Sequence, residues 1–176
     1  MGRAFRCQYM KKGKLHRGKR AIGEWFIIDF AGIGEVIGRV IRNDCATRLP
    51  ETTVHTLDRT DVHLIYLYQR DVTRQSVDGL VTPSLLLGKP LRVNQSGWER
   101  GYFRPFCTRA LHASEILAVH CCGWDRPNHQ LAPPYCDEYG NPLLARTEPC
   151  ISYGVGAYGY VENEIARHYG LPTNYT

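Results

Sequence analysis

GEWFIIDFAGIGEVIGRVIR, residues 23–42, is the stretch whose reading decides the fold. Residues 23–29 are rich in aromatic and β-branched side chains, which suits a strand. Ala31-Gly32-Ile33-Gly34 is a turn, and residues 35–42 return in rough apolar alternation. The pair forms a hairpin, with Gly38 marking a bulge or a close backbone approach. Working outward, the polar, Pro50-containing residues 43–61 form a loop. Residues 62–69, VHLIYLYQ, make a central strand buried on both sides. Residues 81–88, VTPSLLLG, are a short helical turn capped by Thr82, opened by Pro83 and ended by Gly88. Residues 91–94 are a short strand, 94–100 a turn, and 101–107 an edge strand, since Pro105 cannot donate to a ladder. Residues 116–122, ILAVHCC, are a further buried strand. Residues 135–139 lead into a Gly140-Asn141-Pro142 turn. In residues 157–169, Tyr158, Val161, Ile165, Ala166 and Tyr169 recur at helical spacing, and Gly170 and Pro172 supply the stop. The expectation is an α+β fold: a mostly antiparallel, strongly curved sheet or partial barrel with a C-terminal helix packed on it.

A chain of 176 residues, 43% of them hydrophobic, suits one domain with one core. No apolar run approaches the roughly 20 residues of a membrane helix, and no apolar stretch follows the basic N-terminus as in a signal peptide. The expected compartment is therefore the cytoplasm, with no membrane partner. Seven cysteines, an odd number, read as reduced thiols. Residues 1–20 hold eight Lys or Arg and no acid, which leaves 14 basic against 17 acidic residues in the rest. The expected organisation is a basic, mobile N-terminal arm (1–20) and a single α+β domain (21–176). Nucleic acid is a conceivable partner only through that arm.

The chemistry-bearing residues form no catalytic pattern. Gly32, Gly34 and Gly38 have the wrong spacing for a dinucleotide loop and lead into a strand. His120, Cys121, Cys122, His129 and Cys136 lack a C-x-x-C pair, and neighbours on a strand point to opposite faces. His63 reads as a structural histidine. Ser84, Ser96, Ser114 and Ser152 sit in no nucleophile elbow. Cys107 with His112 or His120 would need spatial adjacency. Asp137 and Glu138 are adjacent carboxylates that cannot bracket a substrate alone. No catalytic residue, metal ligand or cofactor is expected. What remains is a recognition face of Trp98, Tyr102, Asp137, Glu138 and Tyr139, in which aromatics anchor and carboxylates steer a basic partner. Tyr135, Glu162 and Glu164 lie at the same end of the chain.

Four landmarks then occur in order: IGEWFIIDFAGIGEVIGRVIR (22–42), SGWERGYF (96–103), YCDEYG (135–140) and GVGAYGYVENEIARHYG (154–170). Together they resemble the immunity protein 26 family. The resemblance implies a cytosolic protein that neutralises a cognate bacterial toxin domain by stoichiometric binding. Some relatives carry a phosphotriesterase label, so it also implies, as an alternative, a small phosphotriester hydrolase.

Overall fold

The computed structural model describes residues 7–43, 45, 62–68, 85–123 and 135–173. Strand β1 (Glu24–Phe30) and strand β2 (Gly34–Arg42) form the expected hairpin, in register from Trp25↔Arg39 to Phe30↔Gly34. Gly38 lies under the Phe26 ring, and a Cβ there would sit 2.3 Å from a ring carbon, so the close approach requires glycine. Strand β3 (Val62–Leu67) pairs with β2, and strand β4 (Leu91–Asn94) pairs with β3. On the other side, strand β5 (Arg104–Thr108) pairs with β1, and the register shifts where Pro105 meets Phe26. The sheet runs β4-β3-β2-β1-β5, is antiparallel throughout, and does not close into a barrel.

Side chains alternate to two faces, and both faces are covered. Phe26, Ile28, Val40, Ile65 and Val93 face helix α1 (Ser96–Glu99) and helix α2 (Tyr158–His168), meeting Trp98, Val161 and Ile165. Trp25, Ile27, Ile41, Leu64 and Tyr66 face a small second sheet. That sheet has strand β6 (Cys121–Gly123) in its centre, antiparallel to strand β7 (Tyr135–Cys136) and parallel to strand β8 (Cys150–Ser152). Cover on both faces explains why β1 and β3 read as nearly continuous apolar runs. Helix α2 ends as its sequence predicts: Gly170 has φ +68°, its N–H donates to Arg167 O, and Leu171 N–H reaches back to Ala166 O.

Three local readings change. The strand expected at 116–122 is confined to its last two residues plus Gly123. A 3-10 turn at Ala113–Glu115 precedes it, and the Leu117 N–H donates to the Tyr66 hydroxyl instead of a ladder. In the helical turn expected at 81–88, residues 81–84 lie outside the described residues. Leu85 bridges Tyr68, and Gly88 N–H closes a simple turn onto Leu85 O. The turn at 94–100 contains the one-turn helix α1.

The N-terminal segment differs most. Over its described residues, 7–20, it is a docked strap. Tyr9 stacks on Phe30 with centroids 5.4 Å apart, and Met10 is buried and bridged to Phe30. Backbone N–H groups of Lys11, Gly13 and His16 donate to the carbonyls of Asp29, Gly101 and Trp98. The strap lies so close to α1 that a Cβ on Gly101 would stand 2.5 Å from Gly13 O. It leaves through Arg20, which lies over the Trp98 ring and pairs with Glu24 at 3.1 Å. The charge count made this segment look like a solvated arm. Its anchoring residues, Tyr9 and Met10, are too sparse to stand out among the lysines.

Candidate functional site

The turn after β7 is built by one carboxylate. Asp137 Oδ1 accepts from the backbone N–H groups of Tyr139 and Asn141, each at 2.8 Å, and Oδ2 accepts from the Asn141 side chain at 2.8 Å. The Asp137 N–H donates to Asn141 O, Gly140 turns with φ +85°, and Leu143 N–H donates to Tyr135 O. An aspartate bonding its own next two or four residues is the ordinary chemistry of a tight turn. The structure therefore places Asp137 as a turn clamp, half-buried rather than presented outward.

The neighbouring residue faces the interior. Glu138 Oε1 accepts from His120 Nδ1 at 2.9 Å and from Arg42 Nε at 3.3 Å. The other ring nitrogen of His120, Nε2, lies 2.7 Å from the Tyr66 hydroxyl. Burial disfavours the Glu138 charge. The His120 hydrogen bond, the residue's own backbone N–H and the charges of His120 and Arg42 outweigh it and hold the carboxyl below its ordinary value. The Tyr66–His120–Glu138 chain has the connectivity of a hydroxyl–imidazole–carboxylate relay. Its hydroxyl end is wholly interior, and burial pushes the Tyr66 phenol up to about 12. The chain is therefore built as a brace between β3 and the turn. It also occupies both nitrogens of His120, so the thiol–imidazole pairing considered for Cys107 has no imidazole there.

Of the predicted face, Trp98 is corrected outright. It is 0% exposed, packed edge-on against Phe26 and Phe103, with Arg20 over its ring. Its SGWERGYF context (96–103) is a packing motif: a Cβ on Gly97 would strike the Phe103 ring at 2.4 Å. Tyr102 is half-buried and stacks on Tyr158 at 4.9 Å. Glu138 is buried. Tyr139, 51% exposed, is the residue of the five that projects into solvent. Three residues past that turn stands Leu144, fully exposed, which sequence reasoning passed over because a lone Leu carries no motif. Glu162 is wholly buried under the strap, where Oε1 accepts the Tyr9 and Met10 N–H groups at 2.6 and 2.9 Å. Glu164 pairs with Lys89 at 3.1 Å and with Arg167.

The remaining interior charges are also engaged. Arg39 lies 4.5 Å over Trp25, pairs with Glu115 at 3.2 Å and donates to the carbonyls of Arg109 and Ala110. Burial raises Glu115, but the His112 backbone N–H and the charges of Arg39 and Arg109 hold it below its ordinary value. Arg92 sits 4.2 Å over Tyr153 and donates to its carbonyl. The seven cysteines are free thiols. Burial pushes Cys45 and Cys136 up to about 11 and Cys7 to about 12, which disfavours the reactive thiolate. Among the described residues no three His, Cys, Asp or Glu side chains are grouped to hold a metal ion, and no helix is long and apolar enough to cross a membrane. Ser84 and His129 lie outside the described residues. A cleft of about 500 Å³ opens at the start of α2, between Ser152 and Arg167.

Compared with known proteins, the chain matches no protein-family model, no curated protein and no solved structure.

Proposed function

We propose that this chain is a stoichiometric protein-binding module whose contact element is the turn of residues 137–146, with Tyr139 and Leu144 as its apolar anchors. One observation carries the reading. The turn is clamped by Asp137 and braced from within by Glu138, so two large side chains stand in solvent on a rigid base. Anchors held on such a base lose little conformational entropy on binding. The partner implied by the resemblance is a cognate bacterial toxin domain, neutralised in the cytoplasm by occlusion of its active site. A phosphotriester hydrolase is less well supported, because the interior His120, Glu138, Glu115 and Arg39 are consumed by one another.

The test is a binding titration against the toxin domain encoded beside this chain. The native protein should form a 1:1 complex. Tyr139→Ala combined with Leu144→Asp should weaken it by about a hundredfold or more, the loss expected for two anchors. No complex at micromolar concentration, or turnover of an activated phosphotriester by the purified protein, would count against the proposal.

A further inference from the structure

Between Tyr9 and Arg20 the strap carries Lys11, Lys12, Lys14, Arg17 and Lys19 and no acid. Its backbone is pinned by the amides of Lys11, Gly13 and His16, which donate to the carbonyls of Asp29, Gly101 and Trp98. The cations therefore stand on a fixed line rather than on a free tail.

Elsewhere the protein neutralises its cations. Among the described residues, every Lys or Arg outside the strap pairs with a carboxylate or lies over an aromatic ring. Within the strap, Lys11 pairs with Asp29 at 3.3 Å and Arg20 with Glu24 at 3.1 Å. Lys12, Lys14, Arg17 and Lys19 do neither: all four are exposed and have no ion pair among the described residues. The acids that touch the strap are already engaged, Asp29 by Lys11, Glu24 by Arg20, and Glu162 by the amides of Tyr9 and Met10. A positive field is left, and His16 registers it. Burial and the charges of Arg20 and Lys14 hold its imidazole below its ordinary value. Like charges held this close repel one another, and a polyanion relieves that repulsion.

The shape of the patch selects the polyanion. From Lys12 to Lys19 the chain spans at most about 25 Å, so the four cations form a narrow line. Such a line suits a row of phosphates, which follow one another about every 3.4 Å along one strand of a duplex. The aromatic rings at the strap are taken, Tyr9 by Phe30 and Trp98 by Arg20. Neither can stack on a base, as recognition of a single strand requires.

We infer that the strap binds the phosphate backbone of duplex nucleic acid through Lys12, Lys14, Arg17 and Lys19, without reading its sequence. The surface is separate from the 137–146 turn and does not depend on the protein-binding reading.

Fluorescence anisotropy of a labelled DNA duplex titrated with the full chain tests it. At about 50 mM salt the binding should saturate with a Kd of about 100 μM or tighter. The association constant should fall with salt on a log–log slope of about −3.6, the value for four neutralised phosphates. Scrambling the duplex sequence should change nothing, and a single strand of the same length should bind no tighter. Replacing all four cations together (Lys12→Gln, Lys14→Gln, Arg17→Gln, Lys19→Gln) should weaken binding by about thirtyfold or more at low salt. The same variant should keep its unfolding midpoint, because these side chains have no partner in the fold. Lys14→Gln alone should reduce the salt slope by about 1. The inference is overturned if the anisotropy stays flat up to about 500 μM protein at low salt. It is overturned equally if the fourfold variant binds as the native chain does, if a single strand binds tighter than the duplex, or if phosphatidylserine vesicles bind the strap while the duplex does not.

Discussion

Glu138 and Tyr139 are chain neighbours with opposite fates, one sealed against His120 and the other in solvent. At the residue scale this alternation is what the sequence could not convey: YCDEYG shows two acids and two aromatics and no direction for any of them. Burial and pairing make the acids a stability device. Glu138 and Glu115 are held below their unfolded values, so their contribution is complete above the ordinary carboxylate value of about 4.3 and is lost as pH falls through the depressed native values. Urea midpoints measured from pH 7 to pH 3 should therefore fall, and Glu138→Gln should flatten the fall while lowering the midpoint at pH 7. A midpoint independent of pH would contradict the pairing. Removing Glu115 leaves Arg39 buried and uncompensated, so Glu115→Ala should cost about 3–5 kcal/mol in equilibrium unfolding. Trp98→Ala should cost about as much through the cavity it leaves, whereas an exposed contact residue would cost almost nothing.

At the scale of elements, the β1–β2 hairpin, the central β3 and the closing helix were legible because each has a strong local signal: aromatic runs around a glycine turn, a continuous apolar strand, and a 3.6-residue repeat with a glycine stop. The segment 116–122 was misread for a physical reason. Its apolar side chains pack beneath the sheet, but its backbone bonds to the Tyr66 hydroxyl, a long-range partner no local pattern encodes. The strap was misread for a similar reason, since it is held by backbone bonds and by Glu162, which lies 153 residues beyond Tyr9 in the chain. Truncation of residues 1–12 strips Glu162 of its two donors and should destabilise the domain by about 3 kcal/mol or more, measured by chemical denaturation. Adding Glu162→Leu to the truncation should recover part of that loss. A free basic arm would give no change in either case.

Across the whole molecule, a five-stranded sheet covered by helices on one face and a three-stranded sheet on the other accounts for nearly all the buried apolar side chains described. The α+β class followed from the order of elements, strands first and helix last. The second small sheet did not, because its strands are two or three residues long and join distant parts of the chain. That sheet places Cys121 beside Cys150 and Cys122 beside Cys136, all as thiols. Thiol labelling of the native protein should accordingly be fast at the exposed Cys107 and slow at Cys45, Cys122 and Cys136, with rates converging only after global unfolding. Of the proposed contact turn, the sequence reading named Tyr139 and Asp137, the latter as a contact rather than as the clamp it is. It passed over Leu144, which only its exposure distinguishes.

The central claim is that a turn pinned from inside presents Tyr139 and Leu144 to a protein partner. Titration calorimetry with the toxin domain that the proposal requires as partner tests it most directly, comparing the native chain with the Tyr139→Ala, Leu144→Asp double variant. Tight 1:1 binding that the double variant loses, with its unfolding midpoint unmoved, is the predicted result; equal affinity for both proteins would contradict the account.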